Sequence, residues 1–165
     1  MHGLFHLQTP LDLLHKLERE YERWKADPVN VDLAWNFFVT AEHLPDWMGQ
    51  THTGPPLLGG ESIKKFKTDR PLLRICSHLA NGGKHLIPRA DQHTSVDRTV
   101  REMTSFVKPG FVEKGYFAEE PALRVYLTPN EMTALRRDTA DVDALWLADR
   151  IMELYQAWPA LNTKP

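Results

Sequence analysis

Apolar residues recur every three or four positions through Leu11, Leu14, Leu17, Tyr21 and Trp24. That spacing puts one buried stripe on an otherwise charged helix. Thr9-Pro10-Leu11-Asp12 reads as its start, with Thr9 as cap, Pro10 where its missing N–H costs nothing and Asp12 at the positive end, and Asp27-Pro28 ends it. A second helix opens at the cap Asn30 and runs through Trp35, Phe37, Phe38, Val39, Ala41 and Leu44 to about Trp47. It is apolar on most sides, so it belongs at the centre of the core. Pro45 removes a backbone donor and predicts a kink or tightening near its end. Residues 49–60, dense in Gly, Pro and Thr, read as an exposed connection, and residues 62–67 as a further helical turn. A third long helix begins near Asp69-Arg70-Pro71, with Leu72, Ile75 or Cys76, Leu79 and Leu86 as its apolar stripe.

After Pro88 the pattern changes. Residues 100–107, 111–118 and 123–127 carry β-formers with partial alternation, broken at Pro109-Gly110 and Glu120-Pro121, and predict a small antiparallel sheet or hairpin over about 97–127. Thr128-Pro129-Asn130-Glu131 has the form of a capping box with proline at the first helical position, and Asp138 and Thr139 mark a break. The last long helix buries Val142, Leu145, Ala148, Ile151 or Met152, Tyr155 and Trp158, and Pro159 stops it. Four long helices with a β insertion between the third and fourth predict a mainly α fold. The expected form is a single domain over residues 1–165, an up-and-down four-helix bundle carrying a small antiparallel sheet.

Composition narrows the function classes. The 165 residues, 42% hydrophobic and 25% charged, match one globular domain. A net charge of -2 argues against a general electrostatic grip on nucleic acid, so any such contact is local. The single cysteine, Cys76, excludes an intramolecular disulfide framework and a Cys-rich zinc site and fits a reducing compartment. No apolar run approaches the ~20 residues that span a bilayer, and the start lacks a basic region followed by an apolar one. The expectation is a cytoplasmic protein with no membrane contact.

Two polar stripes break the apolar pattern. On the second helix Asp32, Asn36, Thr40 and His43 repeat at helical spacing, with Asp46 one turn on, where few routes lead to water. On the third, Arg74, His78, Asn81 and His85 line one strip, with Lys84 beside it. If the two helices pack as neighbours, the stripes meet in a cluster with a group titrating near neutral pH, an acid to orient it and donors for an anion. Gly82 and Gly83 each cost ~1 kcal/mol relative to alanine inside a helix, so they signal close approach of a backbone, a ligand or a helix end. The alternative is a solvated face or a satisfied network, with the helix ending at residue 82 and His85 in a loop.

The strings Trp35-Asn36-Phe37-Phe38-Val39-Thr40-Ala41-Glu42-His43-Leu44-Pro45-Asp46-Trp47 and Cys76-Ser77-His78-Leu79-Ala80-Asn81-Gly82-Gly83-Lys84-His85 resemble the two signature segments of a bacterial family of uncharacterised helical proteins. The resemblance covers mainly residues 30–86. More remotely, the second string is similar to the motif of the HEPN superfamily. Those helical bundles often dimerise and cleave RNA without a metal, using an Arg, frequently followed by Asn, and a His four to six residues after the Arg. In that pattern Asn81 and His85 take the Asn and His positions, and Ala80 stands where the arginine belongs. The resemblance implies an RNA-binding or RNA-cleaving homodimer that needs no cofactor. His85 would be the acid or base for attack by a ribose 2′-hydroxyl, Lys84 or Arg74 would hold the phosphate, and Asn81 would orient groups. Lysine offers a point charge that lacks arginine's bidentate fork.

Two other classes remain open. Metal-assisted hydrolysis would draw on His43, Asp46 and His78, with His85, as ligands, although no Glu-x-x-His or His-Glu-x-x-His pattern occurs. A non-enzymatic module would bind a protein or RNA segment through the second and third helices and the β insertion, where Phe111, Tyr116, Phe117 and Tyr126 supply aromatic surface. Cys76 has a reading as a nucleophile with His78 or His85, but its place on the apolar stripe makes it a small core residue.

Overall fold

The computed structural model describes residues 7–50, 57–84, 94–102 and 121–161, with the backbone alone for Lys84 and Ala160. Helix α1 (Pro10–Ala26) starts at a complete capping box: Asp12 N donates to Thr9 Oγ1 at 3.1 Å and Thr9 N to Asp12 Oδ2 at 2.9 Å. Its stripe buries Leu13, Leu14, Leu17 and Trp24. Helix α2 (Val31–Gly49) is capped by the Asn30 side chain, which accepts from Asp32 N and Leu33 N, and it continues through Pro45. Gly59 and Gly60 carry the chain through a turn at positive φ, and the short α3 (Ile63–Thr68) follows. Helix α4 (Pro71–Lys84) does not end at residue 82 but runs through both glycines.

The remaining elements are β1 (Val96–Glu102), β2 (Ala122–Leu127), α5 (Pro129–Ala134), β3 (Asp141–Asp143), α6 (Ala144–Gln156) and a 3₁₀ turn, Pro159–Leu161. The strands form an antiparallel sheet in the order β1-β2-β3, with an irregularity between Val96 and Arg98. The insertion between α4 and α6 is therefore β, as expected, and its residues 103–120 lie outside the described set. Two local expectations are corrected. Val142 belongs to a third strand and not to the last helix, which starts at Ala144 with Asp143 Oδ1 accepting from Leu145 N at 2.8 Å. Thr128 and Glu131 form no capping box: the Thr128 side chain makes no cap bond, Thr128 N donates to Ser95 O at 3.2 Å, and the Glu131 carboxylate turns inward.

The fold is mainly helical, and α2 sits at its centre, packed against α1, α3, α4 and α6. Trp24, Phe37 and Phe38 form a mutually tilted aromatic cluster with centroids 5.4–5.7 Å apart. Tyr155 of α6, fully buried, donates its hydroxyl to Ala41 O of α2 at 2.7 Å. No helix among the described residues is long and apolar enough to cross a membrane.

One polar interaction fastens the sheet to the helices. Glu131 of α5 is 4% exposed. Its carboxylate accepts from Arg74 Nε and Nη2 of α4 at 2.7 and 2.8 Å and from Ser95 Oγ, just before β1, at 2.9 Å. A buried carboxylate is costly unless several donors satisfy it, and here three do. Arg74 also donates to Thr68 O at the end of α3 at 2.6 Å. Arg74→Ala removes the cation and strands the carboxylate. The expected loss is about 2–3 kcal/mol, below the full cost of breaking a buried pair because Arg74 stays partly hydrated. Urea denaturation reads it, and a loss no larger than the ~0.5 kcal/mol of a surface pair contradicts the assignment.

Candidate binding groove

The polar stripes look toward different neighbours. On α2, Asn36 is exposed and Thr40, buried, accepts from Lys16 Nζ of α1 at 2.6 Å. His43 Nδ1 lies 3.4 Å from both Glu42 Oε2 and Asp46 Oδ2. On α4, Arg74 is held by Glu131, His78 Nδ1 accepts from Val96 N of β1 at 3.1 Å, and Asn81 Nδ2 donates back to Ser77 O at 2.7 Å. His85, the Lys84 side chain, Phe111, Tyr116 and Phe117 lie outside the described residues. Ala80, where the RNA-cleaving motif carries arginine, is fully buried.

Glu42, His43 and Asp46 present ligand atoms within 4.8 Å of one another, and His78 is not part of that group. A cation already serves the two carboxylates: Lys67 Nζ of α3 donates to Glu42 Oε1 at 2.8 Å and to Asp46 Oδ2 at 2.9 Å. A divalent ion would have to displace an ammonium that is largely shielded from water. Cys76 is buried, its Sγ donates to Phe38 O at 3.3 Å, and burial pushes the thiol far above its ordinary value. It behaves as a core residue and not as a nucleophile.

The open feature lies elsewhere, between the sheet and the helices. A cavity of about 520 Å³ is walled on one side by Val31, Ala34, Trp35 and Phe38 of α2. His78, Leu79 and Gly82 of α4 also line it. The other wall is β1, all six residues from Val96 to Arg101, backed by Leu123, Arg124 and Val125 of β2. Its volume falls in the range of ordinary ligand sites. Val31 (54% exposed), Trp35 (40%) and Val100 (37%) are the large apolar side chains left exposed among the described residues, and all three line this groove.

The sheet register explains the groove's two sides. Thr99 pairs with Val125 and Arg101 with Leu123, and Val125 pairs in turn with Val142, so these residues share one face of the sheet, on which Val125 and Val142 are buried and Thr99 and Arg101 stay exposed. Arg98 pairs with Tyr126 and Val100 with Arg124 on the opposite face. There Arg98 stacks its guanidinium 4.1 Å from the Tyr126 ring centre, and Arg124 Nε donates to Glu102 Oε2 at 3.1 Å. Arg101 has no ion-pair partner among the described residues. A Cβ at Gly82 would meet no atom of the described residues within 4 Å.

Sequence reasoning missed the groove: Trp35 reads as a core residue of an all-round apolar helix, and Arg98 and Arg101 carry no motif. Protein-family models, curated proteins and solved structures give no match to this chain.

Because Lys67 already bridges Glu42 and Asp46, adding Zn²⁺ or Mn²⁺ is expected to leave the melting temperature unchanged. A clear upward shift, lost in His43→Ala, would establish a metal site instead.

Proposed function

We propose that this protein works by binding a partner, not by catalysis, and that the groove between α2, α4 and β1 is its working surface. The observation that carries this reading is the convergence of the exposed Val31, Trp35 and Val100 on one cavity that Arg98, Arg101 and Arg124 also line. Exposed apolar side chains gathered in a concave site mark a place of interaction, since scattered ones need no explanation. Two further facts weigh against phosphate chemistry on α4. Ala80 is buried, and the Arg74 guanidinium is spent on Glu131, so neither supplies a fork for a phosphate in transition.

A second reading keeps the HEPN-like RNA role. It is favoured by the position of His78 and Gly82 on the groove, since the chain continues from there directly to Lys84 and His85. A ribonuclease assay separates the two. The binding reading expects no cleavage of single-stranded RNA above background by the wild-type protein and no difference in His85→Ala. Cleavage that is present in the wild type and abolished in a folded His85→Ala variant would overturn it.

A further inference from the structure

We propose that the groove holds a small molecule with an apolar body and a single carboxylate, and that Arg101 binds the carboxylate. The proposal rests on the binding reading above and names the partner. Residues of two adjacent strands line the cavity in succession, Val96 to Arg101 of β1 and Leu123 to Val125 of β2, so it lies over the body of the sheet and not along an edge. Residues of α2 and α4 line it as well, which places it on the sheet's helix side. A volume of about 520 Å³ is room for a small molecule, whereas an added peptide strand needs a free sheet edge.

Alternation along the strands decides which of their side chains reach this space. Val125 and Val142 are buried in one core with Phe38 of α2 and Ile75 of α4, so their face of the sheet is the inner one. Pairing puts Leu123, Thr99 and Arg101 on that same face. Arg98 and Arg124 belong to the outer face, where Arg98 stacks on Tyr126 and Arg124 holds Glu102. Arg98, like Arg101, has no ion pair among the described residues, but its guanidinium lies on the Tyr126 ring. Arg101 is therefore the cation that the described sheet turns toward the groove.

The ligand's chemistry follows from what surrounds that cation. Val31, Ala34, Trp35 and Phe38 lie at helical spacing on α2 and, with Leu123 and Val125, make apolar walls. Trp35, 40% exposed, offers an indole ring to an apolar body. A guanidinium beside such walls matches a carboxylate, whose two oxygens take its paired N–H groups. Thr99, on the same face and about 7 Å along the strand, adds a hydroxyl donor. Asp97, at the irregularity in β1, is the acidic lining residue, and its distance of about 13 Å along the strand from Arg101 directs an anionic head to the Arg101 end. A nucleic-acid strand fits less well, since it brings a phosphate with every nucleotide to one inward arginine on a chain of net charge -2.

The test is isothermal titration calorimetry on the full chain with naphthoate and octanoate, a flat and a flexible apolar monocarboxylate. Naphthamide keeps the shape of the first without its charge, and naphthyl phosphate exchanges the carboxylate for a phosphate. At least one carboxylate is expected to bind and to lose about fivefold in affinity in Arg101→Gln, the scale of a solvent-exposed ion pair. Arg98→Gln, on the outer face, is expected to change the affinity by less than about twofold. Trp35→Ala, at an exposed position, is expected to weaken naphthoate and naphthamide alike, and circular dichroism verifies that the variants fold. Failure of both carboxylates to bind, an equal loss in Arg98→Gln and Arg101→Gln, or tighter binding of the phosphate overturns the proposal. The amide tells this failure from that of the parent reading. If it binds as tightly as naphthoate and Trp35→Ala weakens it, the groove is a binding site that selects no anion, and if none of the four compounds binds, both readings fall.

Discussion

The Glu131 carboxylate is the constraint on which the rest of the arrangement depends. Its three donors come from α4 and from the residue before β1, and the carboxylate itself rides on α5, so one buried charge ties together three segments far apart in sequence. An unsatisfied carboxylate in that position would cost more than the local structure gains from burying it, so the three segments hold together or separate together. The clamp reaches α3 as well, through Arg74 and the Thr68 carbonyl. It explains why α5, only six residues long, forms at all without a side-chain cap: tertiary contacts hold it in place of local ones.

The same clamp makes the groove. It fixes the start of β1 against α4, and the Val96 N–H bond to His78 repeats the attachment one residue on. Beyond that point a cavity of about 520 Å³ lies between the strand and α2. Helix α2 serves both sides of this boundary. Phe37, Ala41, Leu44 and Met48 pack fully into the core, and Ala34 and Phe38 are nearly covered. Val31 and Trp35, on the first two turns, stay exposed and line the cavity.

Features set by neighbours in the chain were legible beforehand. The Thr9 and Asn30 caps, the stripe of α1 and the β character of the insertion follow from spacings of two to four residues. β3 was hidden because its one buried residue, Val142, falls in phase with the apolar stripe of the helix that follows. Thr128 and Glu131 have the capping-box spacing, but the local bond lost to a stronger distant one, since Arg74 offers a charged fork where Thr128 offers a single backbone N–H. Arg74, His78 and Asn81 follow one another at helical spacing on α4, yet periodicity does not say what stands opposite each turn. Arg74 meets α5, His78 meets β1, and Asn81 turns back on its own helix. The groove was invisible for the same reason, since its two walls are contributed by segments some sixty residues apart.

The central claim is that Glu131 holds β1 in place and so creates the groove, and amide hydrogen exchange tests it most directly. In Glu131→Gln, the amides of Val96–Glu102 and of α5 are expected to exchange at least about tenfold faster, while those of α1 and the middle of α2 keep their protection. Unchanged exchange in β1, or an equal acceleration in every element, would contradict it.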